Sequence, residues 1–102
     1  MAIVNVSIVP LGTSGPSLSQ YIARTIKVVE RHGHVKYQLT PMGTILAGEL
    51  DEVLSVIRQM HESVFDEGVQ RVLTSITIDD RRDKPAKMEE KVRSVQNKLH
   101  RA

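Results

Sequence analysis

The sequence predicts an α+β domain, a ferredoxin-like βαββαβ sandwich with a four-stranded antiparallel sheet and an additional C-terminal helix. Three observations carry the prediction. Hydrophobic periodicity alternates between two and 3.6 residues in the order strand, helix, strand, strand, helix, strand. The chain has 102 residues, 40% apolar and 25% charged, enough for one core and too few for two domains. A short turn joins the second and third strands, and with right-handed crossovers this leaves the split βαβ arrangement as the economical way to form one sheet. A single domain is therefore expected over residues 1–102, its terminal helix covering about 85–100.

The first strand is predicted over Ile3 to Val9, where Val4, Val6 and Ile8 share one face and Asn5 and Ser7 the other. Pro10 to Ser17 reads as a loop, and Ser17 followed by Gln20 has the spacing of a capping box, which starts the first helix. Leu18, Ile22, Ile26 and Val29, supported by Thr25, form its apolar stripe, which stops at His32-Gly33-His34. Val35 to Thr40 alternates as a half-buried strand, Pro41-Met42-Gly43 supplies turn chemistry, and Thr44 to Glu49 is its hairpin partner. The second helix begins at Asp51 and ends at Gly68; its stripe is Leu50, Val53, Leu54, Ile57, His61, Val64 and Phe65. Val69 to Asp79 forms the fourth strand, with Val72, Thr74, Ile76 and Ile78 opposite Leu73, Ser75 and Thr77. Met88, Val92, Val95 and Leu99 make a narrow stripe on the last helix, fit to dock on the domain or on a neighbouring subunit. Two helices cover one sheet face, and Asn5, Ser7, Ser75 and Thr77 are left on the other, flat enough for a partner sheet or a ligand.

Composition excludes several classes. The absence of cysteine removes disulfides, thiolate metal sites and cysteine nucleophiles. The N-terminal segment lacks a basic region and long apolar core, and no run reaches transmembrane length, so a cytoplasmic protein without a membrane partner is expected. A net charge of +2 is too small to argue for nucleic acid. RNA-recognition modules of this topology stack bases on strand aromatics, yet the first strand offers Asn5 and Ser7 and the third has no aromatic. No nucleic-acid partner is therefore expected.

No catalytic constellation emerges. His32 and His34 have no cysteine nearby and no third ligand, which makes them a solvated loop pair. His61-Glu62 begins like a zinc-protease helix, but Phe65 stands where the second histidine is required. Gly12 and Gly15 precede a helix without matching either nucleotide-binding glycine pattern. Asp79-Asp80-Arg81-Arg82-Asp83-Lys84 balances acids against bases and reads as loop-fixing or inter-subunit salt bridges. Neither an enzyme nor a cofactor is indicated.

Val9-Pro10-Leu11-Gly12-Thr13, Ser17-Leu18-Ser19-Gln20-Tyr21, Pro41-Met42-Gly43-Thr44 and Ile78 to Lys84 stand in the order and spacing of one family. On these segments the chain resembles the small thiamine-binding proteins of the YkoF-like superfamily, over nearly its whole length. The resemblance implies a ferredoxin-like subunit, assembly into homodimers or homotetramers through sheets and terminal helices, and non-catalytic binding of thiamine or its hydroxymethylpyrimidine moiety in the cytoplasm. It also implies a glutamate in many relatives where this chain has Ala47.

An aminopyrimidine needs donors and acceptors along its edge and an apolar surface for its ring. Ser7, Ser19 and Thr44 are expected to serve the edge. Tyr37, Met42 and Ile45 are expected to meet the ring, beside Gly43 in the turn, with Glu49 or Asp79 attending a thiazolium charge. The alternative function is a structural or regulatory oligomerisation module with a protein partner and no small-molecule ligand.

Overall fold

The computed structural model describes residues 1–13, 18–66, 68–83 and 88–100. The order is β1 (Ala2–Leu11), α1 (Ser19–His32), β2 (Lys36–Thr40), β3 (Gly43–Gly48), α2 (Leu50–Phe65), β4 (Arg71–Asp80) and α3 (Met88–Leu99). The strands form one antiparallel sheet in the order β2-β3-β1-β4, as the ferredoxin-like reading requires.

Alternation along β1 sets the layers. Ala2, Val4 and Val6 are buried, and their partners Gly48, Leu46 and Thr44 on β3 face the same way. This side receives Val29 of α1 and Val53, Val56, Ile57 and Met60 of α2, which close the core. Burying each such side chain contributes about 1.5–3 kcal/mol, so the packed face rather than helix propensity holds α1 and α2 in place. The other sheet face pairs Asn5 with Thr77 and Ser7 with Ser75, the small polar set the alternation predicts.

Both helix stripes are rotated from their expected positions. In α1 the buried residues are Tyr21, Thr25 and Val29, and Leu18 and Ile22 are exposed. In α2, Val56, Met60 and Ser63 are buried and Leu54 is exposed. Each helix packs against the sheet and against its neighbour at once, so the covered arc includes positions that a single stripe leaves out. The α1 start differs too: Leu18 is the N-cap with no side-chain cap, and the expected capping residue Ser17 lies outside the described residues. Gly33 ends α1 in the left-handed conformation (φ +74°), the C-terminal stop that the histidine-flanked glycine predicts. α2 begins one residue early, at Leu50, and ends at Phe65 rather than Gly68.

The last helix stands away from the core. Every residue of α3 whose burial is described, Glu89 to Leu99, is exposed, and the Cα radius of gyration is 15.3 Å. A compact globule of this length has about 13 Å. Lys91 pairs with Asp79 at the end of β4. Residues 85–87, which the sequence reading placed in this helix, lie outside the described residues.

Candidate functional site

The β2–β3 hairpin turns through the two residues Pro41 and Met42, because Thr40 and Gly43 are the last register pair. Pro41 presets the turn, and the Thr40 side chain fixes it: Thr40 Oγ1 donates to the Gly43 carbonyl (2.8 Å) and accepts from the Met42 N–H (3.3 Å). Gly43 is required by close approach. A Cβ built there lies 2.7 Å from the Val6 carbonyl oxygen, so only glycine lets β3 lie this near β1.

The hairpin, the second half of β1 and the first turns of α1 enclose a cavity of about 240 Å³. Leu18, Ile22 and Leu39 supply its apolar wall, and Met60 of α2 also borders it. Thr25 and Thr44 supply hydroxyls from the helix side, and Thr40 and Ser7 also border it, Ser7 at a position whose side chain alternates to the open sheet face. Thr40 is committed to the turn, and Thr25 Oγ1 donates to the Ile22 carbonyl at 2.7 Å, which leaves Thr25 an acceptor toward the cavity. Met42 stands at the rim, 83% exposed. Among the described lining residues none carries a charge, so the cavity suits a neutral ring with a polar edge far better than a phosphate or a cation.

Of the expected site residues, the fold brings Ser7, Met42, Gly43 and Thr44 together at this cavity. Ser19 lies in the first turn of α1, exposed, next to the lining residue Leu18. Tyr37 points to the helix side of the edge strand β2, beside Val29 and Val35 in a separate shallow depression. Ile45 pairs with Asn5 on the open sheet face. Glu49 and Asp79 stand at the opposite end of the sheet: Asp79 pairs with Ile3, and the five residues of extended chain from Thr44 to Glu49 span about 16 Å. Ala47, across from Ile3, is at that far end as well. Strand polarity separates these groups: the hairpin end and the helix-start end of β3 cannot border one small cavity.

Sequence reasoning missed the walls Leu18, Ile22, Leu39 and Met60. Leu18 and Ile22 are one turn apart on a helix that already buries Tyr21, Thr25 and Val29, and this excess apolar width was the available signal.

The other groups singled out in the sequence make local contacts. His61 on α2 and Thr74 on β4 share a hydrogen bond of 2.6 Å from Nδ1 to Oγ1, and the His61 ring meets Phe65 edge to face at 5.3 Å. His32 and His34 also meet edge to face, at 6.1 Å. Arg81 pairs with Asp83 (2.7 Å) and Arg82 with Asp80 (2.8 Å), local bridges of the loop-fixing kind. The Arg82 guanidinium, as hydrogen-bond donor first and as neighbouring charge, holds the Asp80 carboxyl below its ordinary value. Lys84 lies outside the described residues. No helix among the described residues is long and apolar enough to cross a membrane.

Comparison with known proteins adds the following. A family model described as thiamine-binding protein matches residues 4–96. The UPF0045 protein YqgV of Bacillus subtilis is 48% identical over 102 residues, which cover 97% of this chain and 98% of that protein. The crystal structure of hypothetical protein MJ1052 from Methanocaldococcus jannaschii superposes with a TM-score of 0.85 at 37% identity, covering 93% of this chain and 95% of that one. A Thermotoga maritima protein assigned provisionally to thiamine biosynthesis or salvage shares the fold, with a TM-score of 0.75 at 23% identity over 92% of this chain and 97% of its own.

Proposed function

We propose that this chain, which belongs to the thiamine-binding protein family, binds thiamine or its hydroxymethylpyrimidine moiety without catalysing a reaction, as a cytoplasmic homo-oligomer. The observation that carries the reading is the uncharged cavity at the hairpin end of the sheet, where four of the expected site residues converge. An aminopyrimidine ring entering it has Leu39, Ile22 and the Met42 thioether beside its faces, and the Thr44 hydroxyl and the Thr25 acceptor oxygen at its edge. A thiazolium cation gains nothing from burial there, because no carboxylate is among the described lining residues. It remains at the mouth, in water, and the pyrimidine supplies most of the recognition.

Titration calorimetry with thiamine and with hydroxymethylpyrimidine tests this. Both are expected to bind with similar affinity. Thr44→Val, nearly isosteric, is expected to weaken both by about tenfold, the cost of one lost hydrogen bond in a buried site. Absence of heat with either compound at millimolar concentration defeats the reading. Cell fractionation tests the cytoplasmic placement.

The homo-oligomer rests on apolar surface left uncovered. On α3, Val92, Val95 and Leu99 are 50%, 58% and 74% exposed, and on the helix side of β4, Ile76 and Ile78 are 43% and 45% exposed. A twelve-residue helix is marginal in water without a packed face, and a second copy offers both surfaces in reciprocal positions. The same exposure favours a second reading, a structural or regulatory oligomerisation module with a protein partner and no small-molecule ligand. That reading takes over where light scattering finds a stable assembly and calorimetry finds no ligand.

A further inference from the structure

The outer side of the helix layer carries a second concave site, lined by different residues of α1 and α2 from the hairpin cavity and independent of the ligand reading above. A groove of about 550 Å³ runs between the antiparallel helices α1 and α2. Four cationic side chains line it, Arg24, Lys27 and Arg31 from α1 and Arg58 from α2, against two carboxylates, Glu62 and Asp66. Their arrangement is not even. Arg24 is engaged at the end near the α2 C-terminus, where its Nε donates to the Ser63 carbonyl (3.0 Å) and a guanidinium nitrogen lies 3.8 Å from Asp66. Glu62 stands one turn beyond Arg58 on α2, toward that same end. Lys27 and Arg31 are one turn apart on α1 and exposed, a like-charge neighbour pair that a helix tolerates at a cost. Positive charge therefore concentrates at one end of the groove, facing water.

We infer that this groove binds a compact phosphate-bearing small molecule through Lys27, Arg31 and Arg58. Two guanidinium groups supply planar paired donors matched to phosphate oxygens, and the lysine ammonium adds a mobile point charge. The groove volume lies in the range of small-ligand sites. Glu62 and Asp66 close the far end to negative charge, so the anion must be short. An extended polyanion would meet both carboxylates as it followed the helices.

The test uses the full chain and inorganic pyrophosphate as the probe, in calorimetry at low ionic strength and in an amide-resolved NMR titration. Saturable binding of one pyrophosphate per chain is expected, with shifts centred on residues 27, 31 and 58 and weakening as salt is raised. The surface double variant Lys27→Ala with Arg31→Ala is expected to lose about tenfold or more in affinity. Its melting temperature and its response to hydroxymethylpyrimidine are expected to stay at the wild-type values. No saturable binding at millimolar pyrophosphate, shifts mapping elsewhere, or equal affinity in the double variant overturns the inference. So does tighter, variant-sensitive binding of duplex DNA, which would make the groove part of an extended polyanion surface.

Discussion

Replacing Gly43 by alanine probes the junction on which both the sheet and the candidate cavity depend. The added Cβ would lie 2.7 Å from the Val6 carbonyl oxygen and 3.1 Å from Asn5 Oδ1, where ordinary contact begins at 3.4 Å. The nearest atom is backbone in the central strand β1, so it cannot swing aside as a side-chain end would. The start of β3 has to move away by at least about 0.3 Å to reach the 3.0 Å floor of real Cβ contacts. Overpacking of this kind costs about 1–3 kcal/mol. For a chain of this size the melting temperature should fall by roughly 4–20 °C. Gly33→Ala is the control. It also places alanine at a positive φ, +74°, but in open space, so it should cost only about 1 kcal/mol. Both variants are to be melted at one protomer concentration, since assembly makes the midpoint depend on concentration. Thr44 follows Gly43 and lines the cavity, so Gly43→Ala should also weaken hydroxymethylpyrimidine binding, and Gly33→Ala should not. If Gly43→Ala is no more destabilising than Gly33→Ala, the close approach of β3 to β1 is not what holds the hairpin.

Three further outcomes are expected. Thr74→Val leaves the half-buried His61 Nδ1 without its partner between α2 and β4 and should cost about 1–3 kcal/mol in urea unfolding, whereas Thr77→Val on the open face should cost little. Val92→Glu with Val95→Glu should reduce the mass seen by light scattering to that of a single subunit while far-UV circular dichroism keeps the sheet signal; an unchanged mass would remove α3 from the assembly interface. The Arg82 hydrogen bond lowers the Asp80 carboxyl below its ordinary 3.8, so this contribution to stability is complete above that value and disappears as pH falls through the folded-state value. Asp80→Asn should therefore lose less of its urea midpoint between neutral and strongly acidic pH than wild type does.

The chain's own periodicities were enough for the architecture. Val4, Val6 and Ile8 alternate with Asn5 and Ser7, and a one-residue register slip would invert every one of them, so sequence determines which face of β1 is covered. The split βαβ order followed from the short Pro41-Met42 turn and from crossover handedness, both local or general constraints. The Pro41-Met42-Gly43 turn was legible in the same way, and it borders the candidate cavity.

Placement in three dimensions decided the rest. Leu18 and Ile22 read as core from spacing alone, yet α1 turns Tyr21, Thr25 and Val29 inward and leaves the other two to face the cavity. Glu49 and Asp79 carry chemistry a cationic ligand could use, but strand direction carries them to the far end of the sheet, and alternation gives no sign of that distance. The groove of Lys27, Arg31 and Arg58 combines charges from two helices that meet only after folding. A sequence records which side chains share a face of one element, because that periodicity is a property of the local backbone. Which faces of different elements meet, and where a hollow remains between them, is set by the packing of whole helices on a twisted sheet.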